Sequence, residues 1–439
     1  MEKLRKFCLG IASIAGLLLI VGLVIAHQGL WQAAAVTFAV SFAIGIGALS
    51  PLKNYQYTAW IVVAVVAGMI YPTAFLKLGT IDLRNKWLIL FVVQLVMFGM
   101  GIQMSLKDFS GLAQTGKGVL IGLLCHFSIM PLMGLLLVKV FHFETEIAAG
   151  IILIGSCSSG LASNVMVYIA RANLVLSVAV TAMATLIAPL MTPLLMKLLA
   201  GTFIEVKFFN MMMEIIKIVI VPIGAALVHD YLKRADPKGF RTVNRIGWIA
   251  MVWLVALPMG LWHWFQGRLD EHVLASLEIF SFFAGALLVG IGYHLLTLKI
   301  TKLDGIMPYF SMFGIIYFTT VTTAAGRDNL LKVGFMLFLA SVIHNGAGYF
   351  FGYVLSRFFG LDKRSSRTVA FEVGLQNGGM ASGLAGSMGK LGTVGLAAAV
   401  FSPWMNISGS ILANYWRKQA LSEEENEKLV QSDPQSGIK

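Results

Sequence analysis

Fourteen apolar stretches separated by short polar loops run along the chain, each of a length that crosses a bilayer as a helix of about 20 residues. They fall near residues 8–26, 31–49, 58–76, 87–104, 118–138, 147–170 and 174–200, then 209–231, 246–265, 275–297, 308–324, 333–356, 368–389 and 391–416. Polar residues interrupt two of them. Phe371 to Ser382 reads FEVGLQNGGMAS, with Glu372 and Gln376 four apart and therefore on one helix face. The Asn377-Gly378-Gly379 that follows continues a helix poorly, because paired glycines add backbone freedom and no packing. Residues 154–168, IGSCSSGLASNVMVY, place a Ser/Gly run inside the sixth stretch in the same way. The pattern predicts an all-α polytopic membrane protein with two discontinuous helices. A bare acid at membrane depth next to an unwound segment is how carriers build ion sites; the alternative is a glycine-packed helix whose acid pairs with a basic neighbour.

The two interrupted helices also resemble each other. GLAS at Gly160–Ser163 answers GMAS at Gly379–Ser382, an offset of 219 (379 − 160), and Gly155 and Gly374 share it. One helix earlier, His126, Gly134, Lys139 and Phe141 match His344, Gly352, Arg357 and Phe359 at offset 218 (344 − 126). With seven helices in each copy the second enters the membrane inverted, as in alternating-access carriers.

Composition and charge narrow the class. The chain is 58% hydrophobic and 12% charged, too apolar for a soluble domain. Its net charge of +12 lies in loops between apolar spans, which reads as a topology signal and not as a nucleic-acid patch. With Met1 in the cytoplasm, inside loops carry about twenty Lys and Arg and outside loops about ten, which predicts a multi-pass protein of the cell (inner) membrane with both termini cytoplasmic. The basic N-terminus and first apolar run imitate a signal peptide, but the run is long and reads as a retained span. Cys8, Cys125 and Cys157 lie in apolar runs and suggest neither disulfides nor zinc. No nucleophile–base pair, zinc triad or phosphate loop is apparent, so neither an enzyme nor a cofactor is expected.

The candidate chemistry is oxygen ligation. An interrupted sixth helix frees carbonyls together with the Ser163 and Asn164 side chains, and Ser177 and Thr181 share a face of the next helix. Such hydroxyls can also simply bond back to their own helix. Oxygen-only ligands with one carboxylate suit a hard cation.

GLASNVMVYIARANLVLSVAVTAMATLIAPLMTPLL, FEVGLQNGGMA, HNGAGY and FSPWMNISGSILANYW resemble the bile acid:sodium symporter family across roughly Trp60 to Trp416. The resemblance implies a ten-helix core of two inverted repeats, a core domain with crossed broken helices, and a panel against which it moves. It implies sodium as the only metal, with a first site of Ser163, Asn164, Ser177, Thr181 and Glu372. A second site would use Glu372, Gln376 and the carbonyls of Val373 and Leu375. The glutamine that completes it is replaced by His126, which implies loss of the second ion, a proton carried by His126, or an inert histidine bonded to a carbonyl. For the substrate the resemblance implies a small organic anion near Ser159, Leu161, Asn377 and Asn406. Leu161 replaces a hydroxyl residue and Met405 a histidine, which makes bile acid a poor default.

The chain exceeds the family pattern by two helix pairs. The expected organisation is an extra pair at 1–57, panel at 58–116, core at 117–200, panel with a second extra pair at 201–331, core at 332–416 and a disordered cytoplasmic tail at 417–439. The extra pairs, with Trp248, Trp253, Trp262 and Trp264, are expected to pack or to form a homodimer contact. The function expected is a sodium-coupled symporter of a small organic anion. The alternatives are a proton-coupled carrier using His126 and Glu372, and a non-transporting membrane sensor or scaffold.

Overall fold

A computed structural model of the chain describes residues 2–49, 52, 55–107 and 112–432. The first half holds α1 Glu2–Val24, α2 Gln28–Gly45, α3 Gln56–Ile70, α4 Lys86–Gly101, α5 Leu112–Phe141, α6 Thr145–Ser156, α7 Ala162–Ile169 and α8 Leu174–Leu195. The second holds α9 Phe208–Ile215, α10 Val221–Leu232, α11 Pro237–Ala256, α12 Trp262–Gln266, α13 Glu271–Lys299, α14 Leu303–Ala325, α15 Arg327–Phe358, α16 Lys363–Gly374, α17 Gly378–Ser387 and α18 Leu396–Ser432. Single π-helical turns join α9 to α10 at Ile216–Ile220 and α11 to α12 at Leu257–Leu261. Apart from the helices, a two-residue hairpin pairs β1 (Lys77–Leu78) with β2 (Ile81–Asp82).

Among the described residues ten helices are long and apolar enough to cross a membrane, which makes this a polytopic membrane protein. The expected stretches at 58–76, 87–104, 147–170 and 368–389 fall on shorter or interrupted helices. Local chemistry explains the shortening. Pro72 pushes Tyr71 out of helical geometry (φ −123°, ψ 58°) and ends α3 at Ile70. At the other end of the chain, α18 continues beyond Trp416 to Ser432, where disorder was expected; residues 433–439 of that tail lie outside the described residues. The polar sequence after Trp416 is rich in Glu, Lys and Gln, good helix formers that a hydropathy reading overlooks.

The core lies where α4, α6, α8, α17 and α18 meet, around Val93, Val96, Met97, Ile151, Ile154, Leu384 and Phe401. The N-terminal pair joins this body at its edge. Cys8, Ala12, Ala15 and Gly22 of α1 turn a small-residue face to α2, while Leu17 and Ile20 stay exposed. The other added helices dock by close approach of α13 to α10: a Cβ on Gly290 would lie 2.5 Å from the Ala225 carbonyl oxygen. Element bounds in the two halves also correspond. The 12-residue helices α6 and α16 start and stop at an offset of 218 (363 − 145 and 374 − 156).

Candidate functional site

Two breaks in helical bonding build the site. Helix α6 ends at Ser156, and Cys157 is extended (φ −72°, ψ 163°). Helix α16 ends at Gly374, and Leu375 is extended (φ −110°, ψ 95°). The unwound segments pair antiparallel with each other: Gly160 N–H donates to the Leu375 carbonyl at 2.9 Å, and Asn377 N–H to the Ser158 carbonyl at 2.8 Å. Each break thereby satisfies part of the other's backbone, which unwound chain at membrane depth requires.

Behind the second break, Asn345 of α15 donates its side-chain N–H to the Gly374 carbonyl at 2.7 Å, and the Ser408 hydroxyl donates to Asn345 Oδ1. Close approach there depends on glycine, since a Cβ on Gly348 would lie 2.8 Å from the Gly374 Cα. His126 of α5, wholly buried, ties the two breaks together. Its Nδ1 is 2.9 Å from the Glu372 carbonyl oxygen and its Nε2 is 2.8 Å from that of Cys157.

The five residues of the expected first ion site converge. The Glu372 carboxylate is fully buried; Ser177 donates to Oε1 at 2.5 Å and Thr181 to Oε2 at 2.8 Å. The same two hydroxyls face Asn164 Oδ1 at 2.7 and 3.3 Å. Ser163 donates to the Gly160 carbonyl at 2.8 Å and lies 3.5 Å from the Thr181 hydroxyl. A hydroxyl carries one hydrogen, so Ser177 and Thr181 can answer only two of these four contacts at once. The carboxylate's negative charge is left unbalanced, because only neutral hydroxyls face it and among the described residues no cationic side chain pairs with Glu372. A bound cation would relieve that imbalance. Among the described residues no group of three or more His, Cys, Asp or Glu could hold a metal ion.

The second expected set does not converge in this way. Gln376 donates its side-chain N–H to the Val373 carbonyl at 2.6 Å, while its Oε1 is buried without a partner. The Leu375 carbonyl is occupied by Gly160 N–H, and His126 faces the backbone of Glu372, not its carboxylate.

The substrate residues separate. Ser159, expected beside a substrate, instead donates to Glu372 Oε2 at 2.7 Å and belongs to the oxygen cluster. The break turns its side chain inward; the motif alone could not show which of Ser158 and Ser159 would do so. Leu161 precedes α7 and is half-buried. Asn377 caps α17 through Oδ1, 3.0 Å from Met380 N, and leaves its Nδ2 buried without a partner. Asn406 donates to Ser402 of its own helix at 2.9 Å. The Ser402 turn of α18 abuts the start of α17, where a Cβ on Gly378 would clash with Ser402 Oγ. Both asparagines therefore flank the N-terminus of α17. Sequence reading also passed over Thr185, whose hydroxyl lies 3.5 Å from Ser158 Oγ and extends the four-residue spacing of Ser177 and Thr181 by one turn.

The class that fold and site define is a multi-pass, mainly helical membrane protein with a buried carboxylate in a ring of oxygens at paired helix breaks. Comparison with known proteins narrows it. Residues 90–263 match the Sodium Bile acid symporter family. The chain is 29% identical to the uncharacterized sodium-dependent transporter YocS of Bacillus subtilis, over 84% of this chain and 94% of that protein. It is 28% identical to the probable sodium/metabolite cotransporter BASS1 of Arabidopsis thaliana chloroplasts, over 87% and 78%. The human ileal sodium/bile acid cotransporter is 26% identical over 65% of each chain. Over these stretches the chain is similar to transporters of the Sodium Bile acid symporter family.

Proposed function

We propose that the protein is a sodium-coupled symporter of a small organic anion that works by alternating access. One observation carries the reading: the buried Glu372 carboxylate is ringed by the neutral oxygens of Ser159, Ser177, Thr181 and Asn164, and no cationic side chain among the described residues offsets its charge. Sodium, a hard monovalent cation, suits that oxygen set, and the names of the relatives point to the same ion. Ser159 joins Ser163, Asn164, Ser177, Thr181 and Glu372 as a ligand candidate.

The antiparallel pairing of the breaks is what a two-fold axis between inverted copies would produce, and the matched bounds of α6 and α16 agree with it. On this reading fourteen segments cross the membrane and both termini are cytoplasmic. The core halves, 117–200 and 332–416, move against a panel of 58–116 and 201–331 that the extra helices enlarge. The organic anion sits at the N-terminus of α17, between Asn377 and Asn406, where the partnerless Asn377 Nδ2 and the helix dipole favour negative charge. Uptake of carboxylates into proteoliposomes, with and without a sodium gradient, tests this; uptake indifferent to sodium overturns it.

A second reading, proton coupling through His126 and Glu372, is favoured by the position of His126 between two carbonyl oxygens, because an imidazolium could donate to both. Uptake driven by a pH gradient without sodium, abolished in His126→Gln, would select it.

A further inference from the structure

A large cavity lies between the added helices and the rest of the molecule, and no residue of the oxygen cluster lines it. It encloses about 1600 Å³ among α4, α10, the α11–α12 turn, α13 and α14. Its walls are almost entirely apolar, with Phe91, Phe98, Phe282, Val289 and Phe313 among them. Along α13 the lining runs from Glu278 to Leu296, and 18 residues of helix at 1.5 Å each span about 27 Å, close to the thickness of a bilayer's hydrocarbon core. Beside the cleft α11 breaks: the π-helical turn Leu257–Leu261 contains Gly260 at φ +111°, and Pro258 and Gly260 both line the space. Few side chains of α11 and α12 are buried at all.

The two ends of the cleft differ in charge. At the Glu278 end, Lys217 is held between Glu278 at 2.7 Å and Glu214 at 3.5 Å, which leaves one negative charge in excess. At the opposite end Lys299 follows the lining residue Leu296 by three positions, on the same helix face, and Lys302 adjoins the lining residue Leu303. Both lysines are exposed. Lys233 lies at this end with Asp304, at 3.2 Å, and the first turns of α11 bring Arg241 and Arg245.

We propose that this cleft is a lipid site, in which the acyl chains of an anionic phospholipid fill the apolar slot and its phosphate lies beside Lys299 and Lys302. The length of the slot suits acyl chains, and the excess of cations at one mouth, opposite an acidic one, sets the headgroup's sign and direction. The site is independent of sodium binding at Glu372.

A phosphatidylglycerol carrying a photoactivatable diazirine in its acyl chain, reconstituted with the full-length protein in phosphatidylethanolamine vesicles, provides the probe. Labelled peptides from residues 278–296 of α13 should exceed those from the lipid-exposed face of α1 severalfold. Gly285→Phe fills the slot without backbone conflict, since a Cβ there meets only Leu254 at 4.0 Å. It should abolish the excess on α13, leave α1 labelling unchanged and leave sodium-dependent thermal stabilisation intact. Labelling of α13 no stronger than that of α1, or unchanged by Gly285→Phe, overturns the site. Equal labelling by a phosphatidylcholine probe, or headgroup preference unmoved by Lys299→Glu with Lys302→Glu, overturns the anionic assignment.

Discussion

Replacing Glu372 by glutamine tests the cation site most directly, because it changes charge and almost nothing else. The carboxylate is wholly buried and accepts from Ser159, Ser177 and Thr181. Exchanging charge-assisted for neutral hydrogen bonds forfeits roughly 1 kcal/mol at each hydroxyl. The hydroxyls can turn to accept from the new amide, so none is orphaned. Removing a charge from the middle of a membrane helix recovers about 2.5–3.5 kcal/mol on insertion scales. The two terms cancel to within about 1 kcal/mol, so without sodium the variant should melt close to the parent. With sodium at a hundred times its dissociation constant the parent gains about 2.7 kcal/mol, and the variant should gain nothing. Thermal unfolding in detergent, with choline replaced stepwise by sodium at constant ionic strength, measures both quantities. A sodium-dependent rise in Tm that survives Glu372→Gln, or an equal rise with potassium in the parent, would refute the site.

Thr181→Val keeps the side chain's shape and removes one hydroxyl from both Glu372 and Asn164; it should weaken sodium affinity by about tenfold or more, read by the same titration. Gly348→Ala should destabilise the protein by about 1–3 kcal/mol, because the new methyl meets the backbone of Gly374 and cannot be accommodated by a rotamer change; denaturation without sodium checks it. At the N-terminus of α6, Lys390 donates to Glu146, with help from the Thr393 hydroxyl, and holds its carboxyl below the ordinary value. Stability from this pair is therefore present above the unfolded-state pKa and is lost as pH falls through the depressed folded value. With both partners about a third exposed, the effect is small: Glu146→Gln should lower Tm slightly at neutral pH and converge on the parent in acid, which flattens the acid limb of a Tm-against-pH curve.

Much of the site was legible in the sequence because membrane chemistry makes polar residues conspicuous. Glu372, Asn164 and the Ser177/Thr181 pair stood out against apolar neighbours, and helical spacing placed the last two on one face before any coordinates. Ser159 was not legible. Its role depends on φ and ψ in a five-residue break, and no periodicity survives where helical bonding stops. Helix ends were misread for a related reason. Hydropathy reports depth in a bilayer, not hydrogen bonding, so it carried α3 past Pro72 and stopped α18 at Trp416. The cleft beside α13 was beyond the sequence altogether. Trp248, Trp253, Trp262 and Trp264 read as a uniform packing face, yet Trp253 donates to Ser281 at 3.0 Å, Trp262 lines the cavity, and Trp248 and Trp264 remain exposed.

The paired breaks solve two problems with one geometry. Unwinding a membrane helix strands N–H and C=O groups where water cannot reach, and two segments unwound at the same depth can pair with each other at little cost. That pairing fixes Ser159 and Glu372, residues from opposite halves of the chain, at hydrogen-bond distance. A cation bound there would be held by α7, α8 and α16 together, so that its departure loosens contacts between the halves and not merely within one of them. Ion occupancy can then bias how the halves sit against each other, which coupling requires: the ion must interact differently with the two arrangements to shift their balance. A version of the site built from one helix would bind an ion equally well and couple it to nothing.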